Sequence, residues 1–279
     1  MRVPAGAAGS LPRILTPARI NAAAQGAPKY LRSESEGLNL EELIVETPDH
    51  SLQTALLPDS HLANVLRVLK GRFDEFSRDP RIAHITIAKK HGILAGAAFE
   101  HAYWQLTATG VAPGQFTGWL QHARRFYGKS GRCVFCVVQQ EELEQQTRIV
   151  LTSDHFVVLE PYASSSPFCT HVYPRRHMAS FGEISDEEIT DLAQTLRTLL
   201  AKLYYGLDDP DFNYTIRSAP AEYTGANHFH WYVSVIPRLT QVAGFELGSG
   251  MFINTVLPEA AAEFLRNVKI ERAVGATAE

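Results

Sequence analysis

Apolar and polar positions along the chain follow two periods, and the switches between them mark the elements. Residues 40–47 (LEELIVET) form a short strand ended by Pro48 and Asp49. Residues 62–77 carry Leu62, Val65, Leu66, Val68, Leu69, Phe73 and Phe76 at helical spacing, with a break at Pro80. Residues 84–88 (HITIA) alternate as a strand, and residues 104–109, beyond Gly92 and Gly96, form another. The sequence strand, helix, strand pair then recurs. Residues 148–160 hold two β-rich runs, RIVL and HFVVL, and residues 185–205 form a periodic helix opened by the capping-box pattern Ser185-Asp186-Glu187-Glu188. Residues 213–217 and 229–236 alternate as strands.

Landmarks recur with the elements. His50 and His177 precede the two helices, and His101-Ala102-Tyr103 matches His230-Trp231-Tyr232 in the closing strands. This ordered internal repeat predicts a duplicated α+β unit, with antiparallel sheets and flanking helices. The expected divisions are an arm over 1–39, a first repeat over 40–126 and a second over 127–279, with a linker at 115–132.

Composition narrows the classes. With 279 residues, 45% of them hydrophobic and 20% charged, the chain is an ordinary globular protein large enough for one or two domains. No apolar run reaches the roughly 18–20 residues of a membrane helix, and residues 1–25, rich in Ala, Gly and Pro, lack the apolar core of a secretory signal. A net charge of −4 argues against a general nucleic-acid role but leaves room for a small anionic ligand. Three cysteines, two of them three residues apart, point to a reducing compartment, and the cytoplasm is the expected location.

Cys133-Val-Phe-Cys136, with His177 and His230 beyond it, offers two thiolates and two imidazoles, the donor set of a closed structural zinc site. A redox pair or two buried thiols are the alternatives; the redox version calls for a strand-to-helix setting, whereas the motif is expected just ahead of strands. Cys169, between Phe168 and Thr170, is expected to be buried filler.

Several segments, in a shared order from about residue 40 to 268, resemble the galactose-1-phosphate uridylyltransferase family of the histidine-triad superfamily. They are Ile44-Val-Glu-Thr-Pro-Asp-His50, Lys89-Lys-His-Gly92, Gly96-Ala-Ala98 leading to His101-Ala-Tyr-Trp-Gln105, Pro174-Arg-Arg-His177, His230-Trp231 leading to Pro237-Arg238, and 244–254. The resemblance implies a structural zinc at Cys133, Cys136, His177 and His230, and a homodimer. In the first repeat the matching histidines are His50 and His101, with no C-x-x-C before them. It also implies a phosphorylated or nucleotide-like small-molecule substrate.

The family's nucleophilic histidine, second in a His-Pro-His-x-Gln run, is matched here by Tyr103; its phosphate-binding Ser is matched by Ala98 and its Asn by Lys90. A phenol with a pKa near about 10 attacks phosphorus poorly unless activated. Ordinary nucleotidyl-histidine chemistry is therefore not expected. Tyr103, His101, Gln105 and His91 are the candidate catalytic residues, and Lys89, Lys90, Ser249 and Arg238 the candidate ligand-binding ones. Tyr103 is a nucleophile activated by Lys89, Lys90 or His91, a general acid, or a packing residue. Gln105 matches a phosphoryl-binding position. Ser249, in Gly248-Ser249-Gly250, belongs to a phosphate-binding turn or a plain one; Arg238 meets a phosphate or closes an ion pair. The expected function is a transferase-like enzyme on a nucleotide, sugar phosphate or related metabolite. The alternatives are a scaffold redirected to elimination, cyclisation or group transfer, and a non-catalytic ligand-binding protein.

Overall fold

A computed structural model describes residues 13–15 and 39–270; the rest of the expected N-terminal arm lies outside the described residues. In chain order the main elements are β1 Arg13–Leu15, β2 Asn39–Val45, α1 Asp59–Ser77, β3 His84–His91, β4 Tyr103–Thr109, α2 Gly114–Ser130 and α3 Val134–Gln145. There follow β5 Ile149–Thr152, β6 Phe156–Leu159, β7 Thr170–Pro174, α4 Asp186–Gly206, β8 Phe212–Arg217, β9 Tyr232–Pro237, α5 Gly244–Ser249 and α6 Pro258–Asn267.

The strands join in one antiparallel sheet of order β1-β2-β4-β3-β8-β9-β7-β6-β5. The duplication is visible in that order, because β2-β4-β3 is answered by β7-β9-β8 and the two meet where β3 pairs with β8. Register makes the match residue by residue. Ile44, Trp104 and Lys89 lie side by side in the first unit, as Val172, Val233 and Ile216 do in the second. One residue along, Tyr103 corresponds to Tyr232 and Lys90 to Arg217. The second counterpart of β2 is therefore β7, not residues 148–160; β5 and β6 extend the second unit beyond the repeat.

Alternation along each strand sends successive side chains to opposite faces. One face carries Ile44, Ile87, Trp104, Leu106, Tyr214, Val233 and Val235 into the main core beneath α1 and α4. The apolar stripes of these helices face it with Leu62, Leu66 and Leu69 from α1 and Leu192, Leu196 and Leu199 from α4. The capping box opening α4 forms as expected: Ser185 Oγ accepts from the Glu188 amide and the Glu188 carboxylate accepts from the Ser185 amide.

Two expectations fail on the other face. Residues 115–132 are no linker: Phe116, Leu120 and Ala123, at helical spacing, bury one side of α2 against Ala179 and Phe229. The helix stops at Gly131, whose φ of 69° is the left-handed conformation glycine adopts without strain. Nor does Cys133-Val-Phe-Cys136 stand just ahead of a strand, because it opens α3. Among the described residues no helix is long and apolar enough to cross a membrane.

Candidate functional site

The four expected metal ligands converge. One donor atom from each of Cys133, Cys136, His177 and His230 lies within 4.8 Å of the others. Cys133 caps α3 and Cys136 sits one turn inside it, while His177 follows β7 and His230 precedes β9, so the cluster ties α3 to the ends of two strands. The ring nitrogens are oriented from behind. His230 Nε2 lies 2.9 Å from the Pro174 carbonyl and His177 Nε2 3.1 Å from the Ala226 carbonyl. Each carbonyl requires a proton on Nε2, leaving both Nδ1 lone pairs to face the thiols, where they lie 3.2 and 3.3 Å from Cys136 Sγ. The hydrogen bond from Cys136, and further ones from His177 and His230, hold the Cys133 thiol well below its usual range. Two soft donors and two imidazoles of fixed tautomer make a set able to hold a metal ion.

In the first repeat His50 and His101 also meet, with Nδ1 atoms 3.2 Å apart, and His101 Nε2 reaches the Thr47 carbonyl. The ring centroids are 5.4 Å apart here and 5.2 Å apart for His177 and His230. The cluster of the first repeat lacks thiols, and His50 instead has Glu100 at 3.3 Å.

The structure divides the other candidates between the two faces of the sheet. Lys89 lies opposite Trp104 on the helix-covered face, 2% exposed at its side chain, 2.7 Å from Glu46 Oε1 without hydrogen-bond alignment. Burial pushes its pKa down while Glu46 opposes that shift. His91, of the same parity, stacks on Phe212 with ring centroids 4.9 Å apart and reaches Asp209 at 3.1 Å. Tyr103, Gln105 and Lys90 belong to the opposite face. Neither Lys89 nor His91 can activate Tyr103.

The Tyr103 ring is buried, and its hydroxyl accepts a 3.0 Å hydrogen bond from the Ala98 amide. The loop supplying that amide is held in place by β8 and the turn before it. Gly92 has a φ of 81°, and a Cβ there would lie 1.8 Å from Asp211 Oδ1, so only glycine fits. Asp211 accepts from the Leu94 amide, and Asn213 Nδ2 donates to the Ala95 carbonyl at 2.9 Å. Gln105 donates from its amide to Glu41. Ser249 lies in α5, its hydroxyl donating to the Phe245 carbonyl at 2.6 Å, and so is no free phosphate-turn donor. Arg238 follows β9 at the rim of a cavity described below. Cys169 is 3% exposed, and burial pushes its thiol up to about 11, as suits filler.

A cavity of about 520 Å³ opens over the second repeat on the same face as Tyr103, beside Arg217, His171, Tyr232 and Ser234. Sequence patterns gave no sign of it. Its walls come from β7, β8, β9, α2 and the segment before and after α5, which only the fold brings together.

A duplicated α+β unit in one antiparallel sheet, with a Cys-x-x-Cys and two histidines at the strand ends, defines the class. The model of the galactose-1-phosphate uridyl transferase C-terminal domain matches residues 120–274, and the chain belongs to that family. The chain is 30% identical to a galactose-1-phosphate uridylyltransferase of Thermotoga maritima over 251 residues, 87% of this chain and 77% of that one. It is 29% identical to an ADP-glucose phosphorylase of Arabidopsis thaliana over 84% of this chain and 66% of the relative, thus spanning just under two thirds of it. The crystal structure of an Arabidopsis thaliana ADP-glucose phosphorylase with bound ADP-glucose superposes with a TM-score of 0.78 over 84% of this chain and 74% of that one, at 29% identity. A galactose-1-phosphate uridylyltransferase-like protein of the same plant reaches 0.83 over 94% and 84%, at 27% identity.

Proposed function

We propose that the chain acts on a sugar phosphate or nucleotide sugar at the open face of the first repeat, with Tyr103 as a hydrogen-bond donor or general acid and not as a nucleophile. The observation that carries this reading is the Tyr103 hydroxyl: it accepts from the Ala98 amide and keeps its own proton available to donate. A nucleophile would have to lose that proton, and two of its three basic neighbours, Lys89 and His91, lie on the other side of the sheet, leaving Lys90 alone on the Tyr103 face. Lys90 shares the Tyr103 face and provides positive charge for a phosphoryl group; His101, engaged by Thr47 and His50, positions the strand. This reading excludes a covalent nucleotidyl intermediate on Tyr103. Binding and turnover of ADP-glucose and UDP-glucose, with and without inorganic phosphate or galactose 1-phosphate, test it alongside intact-protein mass. Tyr103→Phe is expected to lower kcat at least tenfold with little change in KM, and no nucleotidyl mass is expected on the wild-type chain. A nucleotidylated Tyr103 would overturn the reading, and stabilisation by these ligands without any product would make the site a binding site only.

The Cys133, Cys136, His177 and His230 set fits zinc, held as a structural ion. Bound there, zinc would supply cohesion between α3 and the strands and no Lewis-acid step, since four protein donors close its coordination. The proposed assembly is a homodimer. Exposed apolar side chains gather in the segment around α5, Leu247 at 78% and Leu257 at 72% among them, and in the loop after β3, where Ile93 is 90% exposed. Such a surface favours burial against a second copy, and the expected compartment is the cytoplasm.

A further inference from the structure

We infer that the second repeat holds its own ligand, an organic anion of metabolite size whose phosphate or carboxylate group sits on Arg217 in the cavity between β8, β9 and α2. This goes beyond the activity proposed for the first repeat and uses none of its residues.

Arg217 lies directly opposite Tyr232 in the β8–β9 ladder. In the first repeat Lys90 and Tyr103 occupy the matching places, so each unit sets a cation beside a tyrosine on the same face of the sheet. In the second unit that face is roofed, and the space under the roof, about 520 Å³, falls within the roughly 300–1,000 Å³ typical of small-molecule sites.

Among the described residues the charge in the cavity lacks an opposite. Arg217 has a buried Nε without a hydrogen-bond partner, and its guanidinium lies over the Trp119 ring at 4.8 Å. Trp119 thus fixes the planar group by stacking and leaves its in-plane N–H donors to face a ligand. His171 adds no competing charge: burial, and then the charge of Arg217, push its pKa down to about 3, so it is neutral at physiological pH. Its Nδ1 is paired with the Tyr173 hydroxyl at 3.1 Å. The single carboxylate lining the cavity, Glu246, is engaged at the start of α5, where its Oε2 accepts from the Ala243 amide at 3.0 Å. Arg238 adds a second positive group at the rim.

The remaining walls suit the rest of such a molecule. Buried Ser234 lies on this face beside Arg217 and offers a polar contact to a sugar or similar group. Ile236, Val242 and Phe252 provide apolar wall. A bare inorganic ion would leave most of this volume unfilled; a sugar phosphate, a nucleoside monophosphate or a sugar acid fills it. These share one chemistry, an oxyanion on a hydroxylated or ring-bearing body.

Titration calorimetry of the full chain with glucose 1-phosphate, AMP and glucuronate tests the assignment and separates phosphate from carboxylate. At least one of the three is expected to show a binding event that weakens tenfold or more in Arg217→Gln, persists in part in Arg217→Lys, and is unchanged in Tyr103→Phe and Lys90→Gln. Ser234→Leu, which fills cavity space without altering charge, is expected to weaken the same event and guards against a folding defect in the arginine variants. Thermal unfolding of each variant is followed alongside. If none of the three probes shows an event sensitive to both Arg217 and Ser234, whether or not they bind elsewhere, the assignment is overturned. Loss of first-repeat turnover in Tyr103→Phe with an intact Arg217-dependent event leaves it standing.

Discussion

Two buried acidic residues show how burial changes the meaning of a charge. Glu46 is fully buried and held by Lys89 and by the Thr54 hydroxyl at 2.8 Å. Removing one partner of a buried pair leaves the other charge uncompensated, at a cost of about 3–5 kcal/mol. Lys89→Met is therefore expected to lower stability to denaturant strongly, and Glu46→Gln in the same chain to recover most of the loss. If the single variant unfolds at the wild-type midpoint, the pair does not carry that cost. Glu160 behaves differently, because burial pushes its pKa up to about 8, against a hydrogen bond from Thr170 that works the other way. In the folded chain it stays protonated across a range where the unfolded chain, with a carboxyl near 4.5, has already released the proton. Stability from this group therefore falls as pH rises from about 4.5 to about 8, by at most about 1.4 kcal/mol for each pH unit, and levels off above that range. Glu160→Gln stays neutral throughout, so its Tm advantage over wild type is expected to be larger at pH 8 than at pH 5. An equal difference at both values would contradict the assignment.

At the scale of elements, α3 depends on its attachments more than on its own sequence. Its only buried side chains are Gln139 and Glu142, and Gln139 donates to the same Pro174 carbonyl that orients His230. Metal removal is expected to loosen this helix first. A chelator, or Cys136→Ser, should lower the Tm and raise amide exchange over residues 134–145, while α1 and α4 keep their protection; uniform exchange along the chain would argue against a local clip. The same facts explain what could be read from the residues alone. In α1 and α4 apolar residues recur with the helical period and a capping box marks one start, so both were expected. In α3 the apolar Val134, Phe135, Val137 and Val138 follow no single stripe, so no helical period marks it in the sequence. β7, five residues with His171, Tyr173 and Pro174 in them, has too short a pattern to stand out beside the β-rich runs of β5 and β6. The metal cluster was legible because its donors are rare residue types at a telling spacing. Arg217 was not: a lone arginine at a strand end carries no motif, and its setting arises only when α2 folds over the sheet.

For the whole molecule, exposed apolar side chains are the feature that a second copy would cover. Leu247→Asp with Ile253→Asp is expected to shift a dimer to monomer in light scattering, with circular dichroism unchanged, since both residues are more than half exposed in the single chain. A monomeric wild-type chain would remove the basis for the dimer. The junction of β3 and β8 bears on how this protein can be divided. Five residue pairs from Ile87↔Ile216 to His91↔Phe212 close it, and each unit there supplies the strand that satisfies the other's backbone amides and carbonyls. Separated halves would each carry a bare edge strand with unpaired backbone groups, a template for adding any passing strand. The two units therefore act as one another's protection against self-association, and a gene fragment encoding either alone should yield aggregate where the joined chain yields a folded protein.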